Sequence, residues 1–102
     1  MSAAPRAPAF RREFDMALTR EDFLRLLPAA VGGVPYRVEG DEIASGGGEP
    51  AWRIRLEARP PRAFGPVGIP VLAVALTIEG ATEARAAAFL DRFLLGFQRA
   101  GG

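Results

Sequence analysis

The sequence predicts an α+β fold: a single β-α-β-β-β-β-α layer sandwich. Its five-stranded, mostly antiparallel sheet runs in the order 1-5-4-3-2, with two helices on one face. Five stretches have strand length and either alternate or run apolar. Two longer stretches carry apolar residues at helical spacing behind a threonine. Both helices need an apolar surface, and one sheet face supplies it. At 102 residues the chain reads as one domain, spanning 10–99. It is long enough to bury a core without disulfides or metals, which become necessary mainly below about 40 residues.

Residues 1–9 (MSAAPRAPA) read as a disordered Pro/Ala tail. A first strand follows over 10–18, with Phe10, Phe14, Met16 and Leu18 on one parity and Arg11, Glu13 and Asp15 on the other. Arg12 shares the apolar parity and is expected to reach its head to solvent. Thr19 with Asp22 three residues on forms a capping-box-like start, and Leu18 and Phe23 stand at the positions of a hydrophobic staple. Phe23, Leu26, Leu27 and Ala30 repeat at helical spacing, and Glu21 and Arg25 are spaced for an i,i+4 pair. Pro28 predicts that the helix ends or kinks near Leu27, because proline disfavours helical geometry at the residue before it. Gly32-Gly33 closes the segment.

Three strands are predicted over 35–39, 42–45 and 51–59. The first two join at the Gly40-Asp41 turn, and a flexible GGGEP connection follows. The strand over 51–59 alternates strictly, with Trp52, Ile54, Leu56 and Ala58 against Arg53, Arg55, Glu57 and Arg59. Residues 60–70 (PPRAFGPVGIP) read as a long Pro/Gly loop. It is too apolar for a purely solvated connection, so it either folds on the sheet edge or presents Phe64 to a partner. The strand over 71–79 is apolar on both parities, which places it centrally. The last helix starts near Thr82 and runs to about Arg99. It buries Ala86, Phe89, Leu90, Phe93, Leu94 and Phe97, and it carries Arg85, Arg92 and Arg99 with Leu95 on its outer side. Residues 100–102 read as a frayed end.

This element order, across roughly 10–99, resembles one repeat of the TATA-box-binding-protein-like topology. The resemblance lies in element order alone and carries no function with it. It implies an uncovered sheet face bearing Arg11, Glu13, Asp15, Arg37, Glu39, Arg53, Arg55, Glu57 and Arg59 around a strip of Val71, Ala73, Ala75 and Thr77.

The chain has no His, Cys, Lys or Asn, and all thirteen basic residues are Arg. The usual general bases, thiolate and amine nucleophiles and zinc ligands are therefore missing. Arg in place of Lys, with abundant Ala, Gly and Pro, suggests a GC-rich, bacterial coding sequence. No glycine-rich phosphate loop or G-x-S-x-G elbow occurs, and the acidic groupings Glu39-Asp41-Glu42 and Glu21-Asp22 lack EF-hand spacing. The expectation is a non-enzyme with no cofactor, no metal and no membrane segment. The N-terminus lacks a secretory apolar core, and the chain is expected to be cytoplasmic.

What remains is contact. The expected role is a small accessory or interaction protein with a protein partner. It would act through the open face, the 60–70 loop or the outer side of the last helix, and self-association as a homodimer is one form of this. The candidate binding residues are Arg37, Arg53, Arg55, Arg59, Arg62 and Phe64. One alternative is a nucleic-acid-binding module using the Arg rows, although the formal charge is only +1. Another is a small-ligand pocket between sheet and helices lined by Phe23, Trp52, Phe89 and Phe93.

Overall fold

The computed structural model describes the backbone of residues 9–101 and the side chains of residues 9–98. The tail expected over 1–9 therefore lies outside the described residues except for Ala9, which is exposed and without regular structure. The elements are β1 Phe10–Met16, α1 Arg20–Ala30, β2 Tyr36–Glu39, β3 Glu42–Ser45, β4 Ala51–Phe64, β5 Val67–Glu79 and α2 Glu83–Gly101. The sheet order is β1-β5-β4-β3-β2, as expected, and every neighbouring pair is antiparallel. β1 and β2 thus lie on opposite edges, and α1 carries the chain across the sheet between them.

One face of the sheet supplies the core. Trp52, Ile54, Leu56, Leu72, Val74, Leu76 and Ile78 are buried there under Phe23 and Leu27 of α1 and Phe93 and Phe97 of α2. Ile43 of β3 is fully buried as well and was not anticipated. It stands opposite Ile54 in register. The aromatic rings form a chain through this layer: Phe23 stacks on Phe97 at 4.7 Å, and Phe93 meets Phe14, Phe23, Phe89 and Phe97.

Local signals start both helices. Thr19 Oγ1 accepts from the Asp22 amide at 3.1 Å, and Thr82 Oγ1 accepts from the Arg85 amide at 3.2 Å. The end of α1 corrects the expectation from Pro28. The helix continues through Ala30 and closes in a Schellman arrangement, with the Gly33 amide on Pro28 O and the Gly32 amide on Ala29 O. Gly32 takes the left-handed φ of 70° that this cap requires. The final turn survives the proline because Leu27 and Ala30 are fully buried, so packing outweighs the missing Pro28 amide. The i,i+4 pair expected from Glu21 is replaced by Arg25 with Asp22 at 3.3 Å. Arg20 bonds Gly40 O and pairs with Asp41 at 3.4 Å, tying the start of α1 to the β2–β3 turn. β1 stops at Met16 rather than residue 18, and α2 reaches Gly101 rather than Arg99.

The largest correction concerns 60–70. It is not a loop. β4 and β5 continue past the rest of the sheet as a two-stranded ribbon and meet at Gly65-Pro66, between the paired residues Phe64 and Val67. Gly65 has φ 59°, the positive value that a Gly-first two-residue hairpin turn needs. Prolines in such a run argue against a central strand. Here both strands of the ribbon are edges, and Pro60 and Pro61 face Pro70 at a two-against-one register shift, where missing amides disrupt no ladder. β1 pairs no farther along β5 than Leu72, and β3 pairs no farther along β4 than Arg55. Beyond Arg59 and Val71 the ribbon is an arm with no strand beside it among the described residues, and the molecule is elongated, 57 × 29 × 23 Å.

Candidate functional site

With both helices on one side, the opposite face of the antiparallel sheet is left open. Its floor is the outward parity of β5: Val71, Ala73, Ala75 and Thr77, all half-buried. The small Ala73 and Ala75 sit between the charged rows of β1 and β4, so the floor is lower than its flanks. A shallow concavity of about 710 Å³ results at the arm's root.

Strand register places all six candidate residues on this face. Ile43 and Ile54 point into the core, so Arg37, Ala44 and Arg53 share the outward side of the next register row. Arg55 stands opposite Glu42 on one side and Ala75 on the other, near the centre of the face. Arg59 stands opposite Val71 at the arm's root. Past the bulge, Arg62 pairs with Ile69 and Phe64 with Val67, on the same outward parity of β5. Phe64 and Val67 are 57% and 56% exposed.

The charged rows are mixed in sign, with Glu39 and Glu57 interrupting the arginines as the sequence shows. Arg37 lies 3.8 Å from Glu39, Arg53 3.7 Å from Glu79, Arg59 3.8 Å from Glu57 and Arg11 3.8 Å from Glu13. Among the described residues Arg55 and Arg62 take part in no such pair. The concavity is lined by six carboxylates against three arginines. Glu42 and Asp41 are the unexpected members. β3 takes its parity from the burial of Ile43, which turns Glu42 outward beside Arg55, and the Gly40-Asp41 turn brings Asp41 to the rim. Val67 was also missed as part of the tip. The Phe64-Gly65-Pro66-Val67 run, a Gly-first turn between apolar residues, is the signal that would have found it.

On the outer side of α2, Arg85 and Arg92 are both exposed, and each has a neighbour. Arg85 turns to Glu49 at 3.4 Å. Arg92 lies over Gly32, where a Cβ would come within 2.5 Å of its Nη1, so its positive head sits against the carboxyl end of α1. The Arg99 side chain lies outside the described residues, and Leu95 remains half exposed. Of the four aromatics suggested for a ligand pocket, Phe23 and Phe93 are fully buried in ring contact with each other. Trp52 and Phe89 do line a recess, of about 290 Å³, together with Arg85 and Arg92.

Chemically, the open face offers ion pairing, hydrogen bonding from guanidinium groups and apolar contact. Among the described residues no group of three or more carboxylates is arranged to hold a metal ion, and no polar or charged side chain is buried. Among the described residues, no helix is long and apolar enough to cross a membrane.

Comparison with known proteins found no matching family model, no matching curated sequence and no matching solved structure.

Proposed function

We propose that this protein is a small non-enzymatic interaction module whose contact surface is the open sheet face together with the β4–β5 arm. One observation carries the reading. Two large apolar side chains, Phe64 and Val67, stand more than half exposed at the end of a projecting ribbon. By register they lie on the same face as Ile69, Val71 and the small-residue strip of β5. Scattered exposed apolar residues need no explanation, whereas a contiguous apolar strip rimmed by charge marks a contact surface. The mixed-sign rim suits a protein surface, where charge sets register and excludes wrong partners.

The test is retention of partners from the native host. Tagged protein at native abundance is expected to hold a defined set of proteins, its own untagged copy included, and Phe64→Ala with Val67→Ala is expected to lose them. An unchanged set would remove the arm from the contact surface, and an empty set with the unmodified protein would overturn the reading. Nucleic-acid binding is disfavoured by the carboxylates beside Arg37, Arg53 and Arg59. Binding of a labelled duplex or single strand that falls steeply with salt, and that Arg53→Ala plus Arg55→Ala abolishes, would replace the leading reading.

A further inference from the structure

We propose that the occupant of the open face is the β4–β5 arm of a second copy, exchanged reciprocally in a two-fold dimer. This rests on the contact reading above and names its partner. Three features of the molecule complement one another.

The first is charge. Between Ala58 and Val71 the chain carries Arg62, Arg59 at the arm's root beside Glu57, and no carboxylate, so the arm is basic; Arg59 apart, the concavity has six carboxylates against two arginines. Those carboxylates include Glu13, Asp15, Glu42 and Glu57. A basic arm is therefore repelled by a second basic arm and drawn to a second molecule's acidic face.

The second is relief. The floor residues Ala73 and Ala75 are small and leave a trough, while the arm presents Phe64, Val67 and Ile69 on its outward side. Large side chains on one surface thus meet a depression on the other. Arm and trough belong to one continuous face, which is the condition for an isologous contact that closes on itself.

The third is length. The arm, counted from Val71 to Val67 on the strand without the extra residue, spans four residue steps, about 14 Å at the usual strand rise. The strip from Val71 to Thr77 spans six steps, about 20 Å. A partner's arm thus fits along the strip without overrunning the sheet.

Sedimentation velocity tests this directly. The unmodified chain is expected at twice its 10.9 kDa mass, and dissociation is expected to rise as salt is increased from about 50 mM to about 0.5 M. Arg59→Glu with Arg62→Glu, and separately Glu13→Arg with Asp15→Arg, are each expected to weaken the dimer at least about tenfold, through like-charge contact. Mixing the two variants is expected to restore a dimer, because each acidic arm then meets a basic face and each basic arm an acidic one.

Circular dichroism melting confirms that the variants are folded. Should one of them not fold, cysteine trapping gives an independent reading. The chain has no native cysteine, so Val67→Cys in one preparation and Ala73→Cys in another should form a mixed disulfide. It should form well above the level seen between Val67→Cys and Leu95→Cys.

A single-chain mass at every concentration would overturn both the exchange and self-association, leaving contact with a different protein. A dimer that persists in both charge variants, or trapping no better than the Leu95 control, would overturn the arm exchange alone. Dimerisation would then lie on another surface, such as the β1 edge.

Discussion

The inner and outer halves of the β4–β5 hairpin are built from the same two strands and share one ladder, yet they are held for different reasons. The inner half, up to Ala58 and Leu72, has β1 and β3 at its sides and both helices across one face. Its inward residues Trp52, Ile54, Leu56, Leu72, Val74, Leu76 and Ile78 are at most 3% exposed. The outer half is held mainly by backbone pairing, with no other element of the described residues paired to it. Its residues from Arg59 to Gly68 are exposed throughout, and its ladder is broken once by a proline-bearing bulge. An isolated two-stranded hairpin is marginal in water. The arm keeps its shape because the body clamps its root and Gly65-Pro66 closes its tip. The difference shows that hydrogen-bonded secondary structure and stability are separable. The body is where the chain folds, and the arm is where it is free to meet something else.

The sharpest way to break that comparison is to empty the inner half. Leu76→Ala, at a fully buried central position, is expected to destabilise by about 2–5 kcal/mol in urea unfolding. The next effect comes from the helix layer. A Cβ on Gly96 would lie 2.8 Å from Ala30 Cα, so the two helices cross where neither has bulk to spare. Gly96→Val is expected to cost about 1–3 kcal/mol by overpacking, read in the same assay.

The outer half should behave oppositely. Replacing 59–71 by a two-residue Asn-Gly turn, which joins Ala58 to Leu72 where they already pair, is expected to change stability by less than about 1 kcal/mol while abolishing association. A loss of several kcal/mol would show that the arm supports the body. The smallest stability effect is expected for Phe64→Ala, within about 0.5 kcal/mol, because the ring has little protein around it to lose. Amide hydrogen exchange sharpens the contrast without mutation. In the dissociated chain, amides of the ribbon should exchange at rates reporting local opening and those of 72–78 at rates reporting global unfolding, and protection of the ribbon should rise as the dimer forms. Equal protection along the hairpin would mean that the arm is covered in solution.

How much of this was legible follows from which signals are local. Thr19 and Thr82 cap their helices as their position before an apolar periodic run dictates, since a cap depends on three or four residues. The strict alternation from Ala51 to Arg59 settles which side chains of β4 face the core. The sheet order followed from strand count and the apolar character of β5 on both parities, so Arg37, Arg53, Arg55 and Arg59 fell on one face as expected, whereas Arg62 and Phe64, read as loop residues, joined that face only through the longer ladder. Where local rules failed, a more distant partner outweighed them. Pro28 did not end α1, because Leu27 and Ala30 on either side of it are buried against the rest of the core. The prolines of 60–70 did not make a loop, because that stretch pairs only with itself and leaves both outer edges free of any ladder.

The electrostatic character of the site was the least legible. Sequence shows Arg37, Arg53, Arg55 and Arg59 with outward parity beside Glu13, Asp15, Glu39 and Glu57, a mixed-sign face, but not how these charges pair or what joins them. The fold sets Glu39, Glu79 and Glu57 within ion-pair reach of three of these arginines and swings Asp41 and Glu42 to the same side. The resulting concavity has more carboxylates than arginines, while the arm carries no carboxylate.

By itself, then, the sequence determined the α+β class, the strand order, the helix starts and the parity of β1, β2, β5 and the inner part of β4. These follow from periodicity and capping, which act over a few residues. Only the tertiary structure decided where β4 and β5 end, whether α1 survives its proline, and what sign of charge gathers where. Those outcomes depend on register between strands distant in sequence. Register alone brings Glu42 beside Arg55 and carries Phe64 and Val67 clear of the body.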